Sequence, residues 1–314
     1  MKKILILGAK GMLGQELVNI FSKGDYEIIA WDKEELDVLK EKEAVKKISA
    51  TKAKIILNAV AYNAVDKCEE EEEFELAKKI NGKVPGYLAK IARDMGAIFV
   101  HYSSDYVFGA QMPEIPEPVG CTGSCGSCGL HAGFEPEIGY GEDDKPAPVN
   151  KYGQTKLLGE KEVIKNGEKF YIIRLSKLFG KPSSALGAKK SFFDTMISLV
   201  KNPPEGGIRV IDGETSCFTY APDLAQKTKE IIESKKEFGI YHITNSDGVT
   251  WYDAAEELFA QAGLEHIKIE PVDSDEFLRP AQRPYFSVLL NKKLNPLRSY
   301  KEALSEYLKD NFKK

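Results

Sequence analysis

A chain of 314 residues with 42% hydrophobic content is long enough to bury a large core and to hold one large unit beside a smaller one. Its 44 basic and 48 acidic side chains leave a net charge of −4, which offers no basic surface for nucleic acid. No apolar run approaches the length of a membrane span, and the opening MKKILILG is too short for a signal peptide, so the expected setting is the cytoplasm, away from any membrane.

The first element, ILIL at 4–7, reads as a short apolar strand running into a glycine turn and an amphipathic helix. The turn holds Gly8, Gly11 and Gly14. This spacing allows a tight turn, lets backbone amides approach a pyrophosphate at the helix N-terminus, and packs helix against strand. A glycine pattern alone is weak, but one that follows a strand and precedes a helix predicts a dinucleotide site. The second strand, EIIAW, ends at Asp32, roughly 20 residues beyond the turn, where a carboxylate can accept from adenosine ribose hydroxyls. The plain alternative is a strand-end turn residue. A carboxylate there favours a free 2′-hydroxyl and tilts the expectation toward NADH over NADPH, although Lys33 could offset the repulsion of a 2′-phosphate.

The third strand, AKIILNAV, leads into Asn58 to Asn63, and five glutamates at 69–73 read as a solvated helix face without functional weight. The fourth, AIFVHYS, leads into Tyr102 to Asp105. Alternation along a strand points Ser103 and Ser104 to opposite faces, so only one of them can serve a site. A long segment between Gly109 and Glu142 carries CTGSCGSCGLH, with Cys121, Cys125, Cys128 and His131. Three thiols and an imidazole in a Gly/Ser loop of a cytoplasmic chain point to a structural metal, zinc or iron, ahead of a disulfide, redox-sensitive thiols or an unliganded loop. Cys68 and Cys217 read as isolated cysteines, and His101 and His242 as core residues.

The stretch NKYGQTKLLGEKE places Tyr152 and Lys156 one helical turn apart on one face. A nearby ammonium favours the phenolate and draws the phenol from about pH 10 toward the working range, making a proton donor. The fifth strand, FYIIRLS, ends at Lys177, and beyond 180 turn-rich stretches such as KNPPEGG loosen the pattern. Strand–helix alternation predicts an α/β fold, a Rossmann-type doubly wound parallel sheet with a smaller C-terminal substrate-binding lobe. The expected division is a dinucleotide-binding domain at 1–180, with the Cys-rich segment at about 110–141, and a lobe at 181–314 of which about 239–260 returns to the first domain.

The segments NAVAYNAVDKCEEE, INGKVPGYLAKIA, VHYSSDYVFG, VNKYGQTKLLGE, IIRLSKLFG and GIYHITNSDGVTWYDAAEEL together resemble the dTDP-4-dehydrorhamnose reductase family of the extended short-chain dehydrogenase/reductase superfamily. The resemblance implies an NADH- or NADPH-dependent reduction of the C4 ketone of a nucleotide sugar, dTDP-4-dehydro-6-deoxy-L-mannose, with Tyr152 as acid, Lys156 as its partner on the nicotinamide ribose, and Ser104 on the carbonyl oxygen. It selects Ser104 because the family serine or threonine directly precedes an aspartate, here Asp105. It lays the dinucleotide against Gly8, Gly11, Met12, Leu13 and Gly14, puts Asp32, Asp37 and Val38 near adenosine, and lines the inner cofactor with Ala61, Tyr62, Asn63 and Tyr102. Asp105 reads equally as substrate contact or loop hydrogen-bond partner. Lys177, a substrate-binding candidate, stands where the family often places a tryptophan against the sugar; a lysine there could contact a sugar hydroxyl or a diphosphate, or point to solvent, and Ser216 and Phe218 also depart from the family pattern. The Cys-rich segment is an insertion of roughly two dozen residues, longer than loops ordinarily are. A homodimer is the expected assembly. The same residues would also fit an epimerase or dehydratase of the superfamily, or a non-catalytic subunit resembling the methionine adenosyltransferase beta subunit; Ser104, Tyr152 and Lys156 together favour catalysis.

Overall fold

The computed structural model describes residues 1–113, 138–184 and 189–312, so Cys121, Cys125, Cys128 and His131 lie outside the described residues. In chain order these form β1 (Lys2–Leu7), α1 (Met12–Ser22), β2 (Tyr26–Trp31), α2 (Glu41–Thr51), β3 (Ile55–Asn58), α3 (Glu71–Ala77), α4 (Val84–Asp94) and β4 (Ile98–Tyr102). There follow α5 (Lys151–Asn166), β5 (Phe170–Arg174), β6 (Leu178–Phe179), α6 (Phe192–Lys201), β7 (Ile208–Ile211), β8 (Thr219–Tyr220), α7 (Ala221–Glu233), β9 (Gly239–His242), α8 (Trp251–Ala262), β10 (Ile269–Val272) and α9 (Tyr300–Asn311).

Alternation along the apolar strands decides the layers. Ile4, Ile6, Leu57, Val100 and Ile173 face one side with Leu17 and Phe21 of α1, while Leu5, Leu7, Ile56, Phe99 and Ile172 face the other with Ile48 of α2 and Leu88 of α4. Burial on both faces is what parallel strands joined by crossover helices show. The sheet order β2-β1-β3-β4-β5-β9, parallel throughout, is the doubly wound α/β arrangement that the sequence predicts.

A separate aromatic core holds the C-terminal lobe: Phe179, Phe193, Phe218, Tyr220, Tyr300 and Tyr307 pack together beside the short pairs β6–β8 and β7–β10. The chain re-enters the sheet at Gly239, where the sequence expectation of 239–260 begins, but helix α7 already covers one face before it and α8 does not follow. Leu224, Ala225, Ile231 and Ile232 of α7 bury against the sheet and β9 forms its edge, whereas Ala254, Leu258 and Phe259 of α8 pack in the lobe core. The described flanks of the Cys-rich segment are tied down, Ala110 N donating to Ala147 O at 2.9 Å and Tyr140 N to Val288 O at 2.8 Å. Among the described residues no helix is long and apolar enough to cross a membrane.

Candidate active site

At the carboxyl ends of β1, β2 and β3 a groove of about 610 Å³ is lined by Gly8, Gly11, Met12, Asp32, Asp37, Val38, Ala61, Tyr62 and Asn63, among others. The turn that forms its floor depends on two glycines. Gly8 has φ 78, open to glycine at little cost, and a Cβ on Gly14 would stand 2.0 Å from the Gly8 carbonyl oxygen. The first bond closing α1 runs from Gln15 N to Gly11 O, leaving the amides of Met12, Leu13 and Gly14 outside the helical ladder, where a pyrophosphate could accept them. The Leu13 side chain, 6% exposed, instead packs into the core, so its share in such a site is its backbone. Asp32 accepts from Lys10 N at 2.9 Å and from Lys33 N at 2.8 Å, which fixes its carboxylate against the glycine turn. These residues fit a dinucleotide.

Helix α5 begins beside the inner end of the groove because the Asn150 side chain caps it, accepting from Gly153 N at 2.8 Å and donating to Gln282 O at 2.7 Å. Tyr152 is buried, its ring edge-on to Tyr106 at 5.7 Å and its hydroxyl 3.4 Å from Asn63 Oδ1. Lys156 donates from Nζ to the Tyr102 carbonyl at 2.6 Å. Tyr102 therefore takes part through its backbone; its ring lies in the core and its hydroxyl bonds Thr228, not a ligand in the groove. The Ser104 hydroxyl donates to Asp105 Oδ1 at 2.9 Å, while Ser103 donates to Glu160 Oε1 at 2.6 Å on the opposite side.

The electrostatics differ from the sequence expectation. Burial pushes the Tyr152 phenol well above its ordinary value, the Asp105 charge adds to this, and the hydrogen bond with Ser104 only partly opposes it. Desolvation outweighs any pull that Lys156 exerts on the phenol, and it also lowers the lysine itself to about 8, with Glu160 acting against that shift. Tyr152 is accordingly a fully protonated donor at neutral pH.

Four positioning groups escape a reading by residue type. Arg174 forms a bidentate pair with Glu160, Nε to Oε1 at 2.9 Å and NH2 to Oε2 at 2.8 Å, both residues being 1% exposed. Glu160 lies on the α5 face that carries Tyr152 and Lys156, so this pair locks the helix to β5. Arg174 also donates to His242 Nε2 at 3.2 Å; an arginine has no acceptor, so the His242 proton sits on Nδ1, facing the carbonyls of Tyr140 and Leu290. Asn81, in a wide π turn between α3 and α4, accepts from Tyr62 N at 2.8 Å and donates to Tyr62 O at 2.9 Å and to Thr155 Oγ1 at 3.1 Å, joining the groove wall to α5. The glutamate run is also more than a solvated face: Glu69 Oε1 accepts from Lys151 N at 3.0 Å and Glu73 accepts from the Tyr62 hydroxyl, because one side of the run turns inward against α5 and the groove.

Of the two readings of Asp105, the geometry favours the internal one. Its carboxylate, 2% exposed, accepts from Ser104, Ser176 at 2.7 Å and Ser287 at 2.8 Å, and these hydroxyls work against the upward shift that burial imposes. Lys177 adopts φ 34, and its Nζ lies over the Trp251 ring, 3.6 Å from the centroid. Among the described residues no group of three or more His, Cys, Asp or Glu side chains is placed to hold a metal ion.

A family model described as RmlD substrate binding domain matches residues 1–312. A dTDP-4-dehydrorhamnose reductase of Mycolicibacterium smegmatis is 31% identical over 97% of this chain and 84% of its own length. The spore coat polysaccharide biosynthesis protein SpsK of Bacillus subtilis is 31% identical over 99% of this chain and 98% of its own. Among solved structures, a dTDP-4-dehydrorhamnose reductase of Clostridium acetobutylicum matches with TM-score 0.83 and 33% identity over 98% of both chains. The Bacillus anthracis counterpart, in complex with NADP, matches with TM-score 0.84 and 28% identity over 99% of this chain and 100% of that one.

Proposed function

The chain belongs to the RmlD substrate binding domain family, that of the dTDP-4-dehydrorhamnose reductases, and from this premise we infer that it carries out the NAD(P)H-dependent reduction of dTDP-4-dehydro-6-deoxy-L-mannose to dTDP-L-rhamnose. The observation that carries this reading is the convergence of a protonated, buried Tyr152 and the Ser104 hydroxyl at the inner end of a groove shaped for a dinucleotide.

Reduced nicotinamide supplies the hydride when bound. Ser104 would orient the C4 carbonyl and stabilise the charge that gathers on its oxygen, and Tyr152 would give that oxygen its proton, yielding the secondary alcohol. An alkoxide is a stronger base than a phenolate, so the transfer is downhill even from a phenol raised by burial. Lys156 would stabilise the phenolate left behind and hold the nicotinamide ribose. Purified protein, either reduced dinucleotide and a panel of 4-keto nucleotide sugars, followed at the cofactor absorbance with the products identified, tests the assignment. Exchange of sugar stereochemistry or loss of water without net cofactor consumption would make it an epimerase or dehydratase, and tight dinucleotide binding with no turnover would make it a binding subunit.

Two expected results bear on the roles. Lys156→Met lowers turnover and weakens dinucleotide binding together. Because the lysine titrates at about 8, its ammonium is present below that pH and lost above it, so wild-type dinucleotide affinity declines as pH rises through about 8 and the variant lacks this limb. Affinity unchanged by the substitution would remove the ribose contact. For cofactor choice, the Asp32 carboxylate gives NADH the higher kcat/KM, by a margin that the adjacent Lys33 narrows. Equal or better efficiency with NADPH would show that Asp32 does not set the preference.

A further inference from the structure

Lys177 carries an ammonium that the described residues leave without a hydrogen-bond partner. Its Nζ is buried against the faces of Trp251 at 3.6 Å and Phe218 at 5.1 Å, and among the described residues it has no hydrogen-bond acceptor. Two carboxylates attract it from a distance, Asp105 and Glu214, but both are already engaged. Asp105 accepts from Ser104, Ser176 and Ser287, and Glu214 accepts from Trp251 Nε1 at 3.0 Å and from Arg279. The backbone is held in place for this arrangement: φ 34 is a conformation that a residue with a Cβ adopts only when its surroundings impose it, and Thr219 N fixes the Lys177 carbonyl at 3.3 Å.

A buried ammonium lacking an acceptor is costly, and desolvation lowers Lys177 to about 7. Leaving three donors unused is explained most simply if a ligand brings the acceptor. The neighbouring Leu178 lines the dinucleotide groove, and Asp105 links Lys177 electrostatically to Ser104, the group assigned to the reacting carbonyl. We propose that Lys177 is a specificity-determining residue of the sugar subsite, its ammonium donating to the ring hydroxyl next to the carbonyl that is reduced. This rests on the reductase reading and deepens it: the site selects nucleotide sugars that keep an oxygen at that position.

The test is binding to the NADP⁺-loaded protein, measured by calorimetry with dTDP, dTDP-L-rhamnose and its 3-deoxy analogue. Lys177→Met is expected to weaken dTDP-L-rhamnose by about tenfold or more, the worth of a charge-assisted hydrogen bond, while leaving dTDP and NADP⁺ affinities unchanged. The 3-deoxy analogue should bind wild type and variant alike, and Lys177→Gln, a neutral donor, should recover part of the loss. Equal loss for dTDP and dTDP-L-rhamnose, or equal loss for the deoxy and parent sugars, overturns the proposal. A wild type that binds dTDP-L-rhamnose no tighter than dTDP overturns it together with the sugar assignment, whereas tight sugar binding without turnover overturns the reductase reading alone.

Discussion

Tyr152→Phe lowers kcat by about 10²–10⁴-fold and leaves dinucleotide affinity close to that of wild type, the range that general acid catalysis supplies. The ring keeps its edge-on contact with Tyr106 and the hydroxyl's link to Asn63 is long at 3.4 Å, so packing survives the change. What is lost is the proton, with the hydroxyl's bond to Ser104. Because that proton is needed as charge develops on the substrate oxygen, kcat and kcat/KM fall together while sugar binding holds. A variant within about threefold of wild type, far inside that range, would take Tyr152 out of the acid role.

The second large effect is on stability. Arg174→Met strands the Glu160 carboxylate in the interior, with the Ser103 hydroxyl as its remaining side-chain partner. Breaking a buried pair from one side costs about 3–5 kcal/mol, because the abandoned charge has neither water nor counter-ion. Replacing both partners removes the charge as well as its partner, so Arg174→Met combined with Glu160→Leu should regain much of that loss. Denaturant midpoints measured on the single and double variants decide the matter. A double variant less stable than the single would mean that packing around the guanidinium, which also lies 5.0 Å from the Phe108 ring centroid, outweighs the charge pair.

The frame was legible in the sequence because burial on both faces leaves strands as short apolar runs, and because the glycine turn and the Tyr152–Lys156 spacing are local patterns. What escaped notice is non-local. Glu160 and Arg174 look like ordinary surface charges until folding sets them together in the interior. Asn81 gives no pattern at all, since its importance comes from bonding the backbone of Tyr62 and the side chain of Thr155, residues far from it in the chain. Spacing points the Tyr152 shift downward where the fold drives it up, since spacing reveals a neighbouring charge but says nothing about desolvation, which is the larger effect. Lys177 could be flagged as unusual from its position, but only the structure shows both nearby carboxylates already engaged.

The late return of the chain to its sheet bears on how the protein must be made. Strand β5 ends at Arg174, but the strand that covers its outer edge, β9, begins at Gly239, and the apolar face of α7 that shields one side of the sheet comes only at 221–233. During synthesis from the N-terminus, the nascent dinucleotide half therefore waits with an unpaired edge and an uncovered face until the first part of the lobe, α7 and β9 have left the ribosome. A fragment cut after residue 180 would keep that exposed edge permanently. The two halves are thus not separable modules, and recombining the lobe with that of a relative has to carry α7 and β9 as part of the sheet they complete.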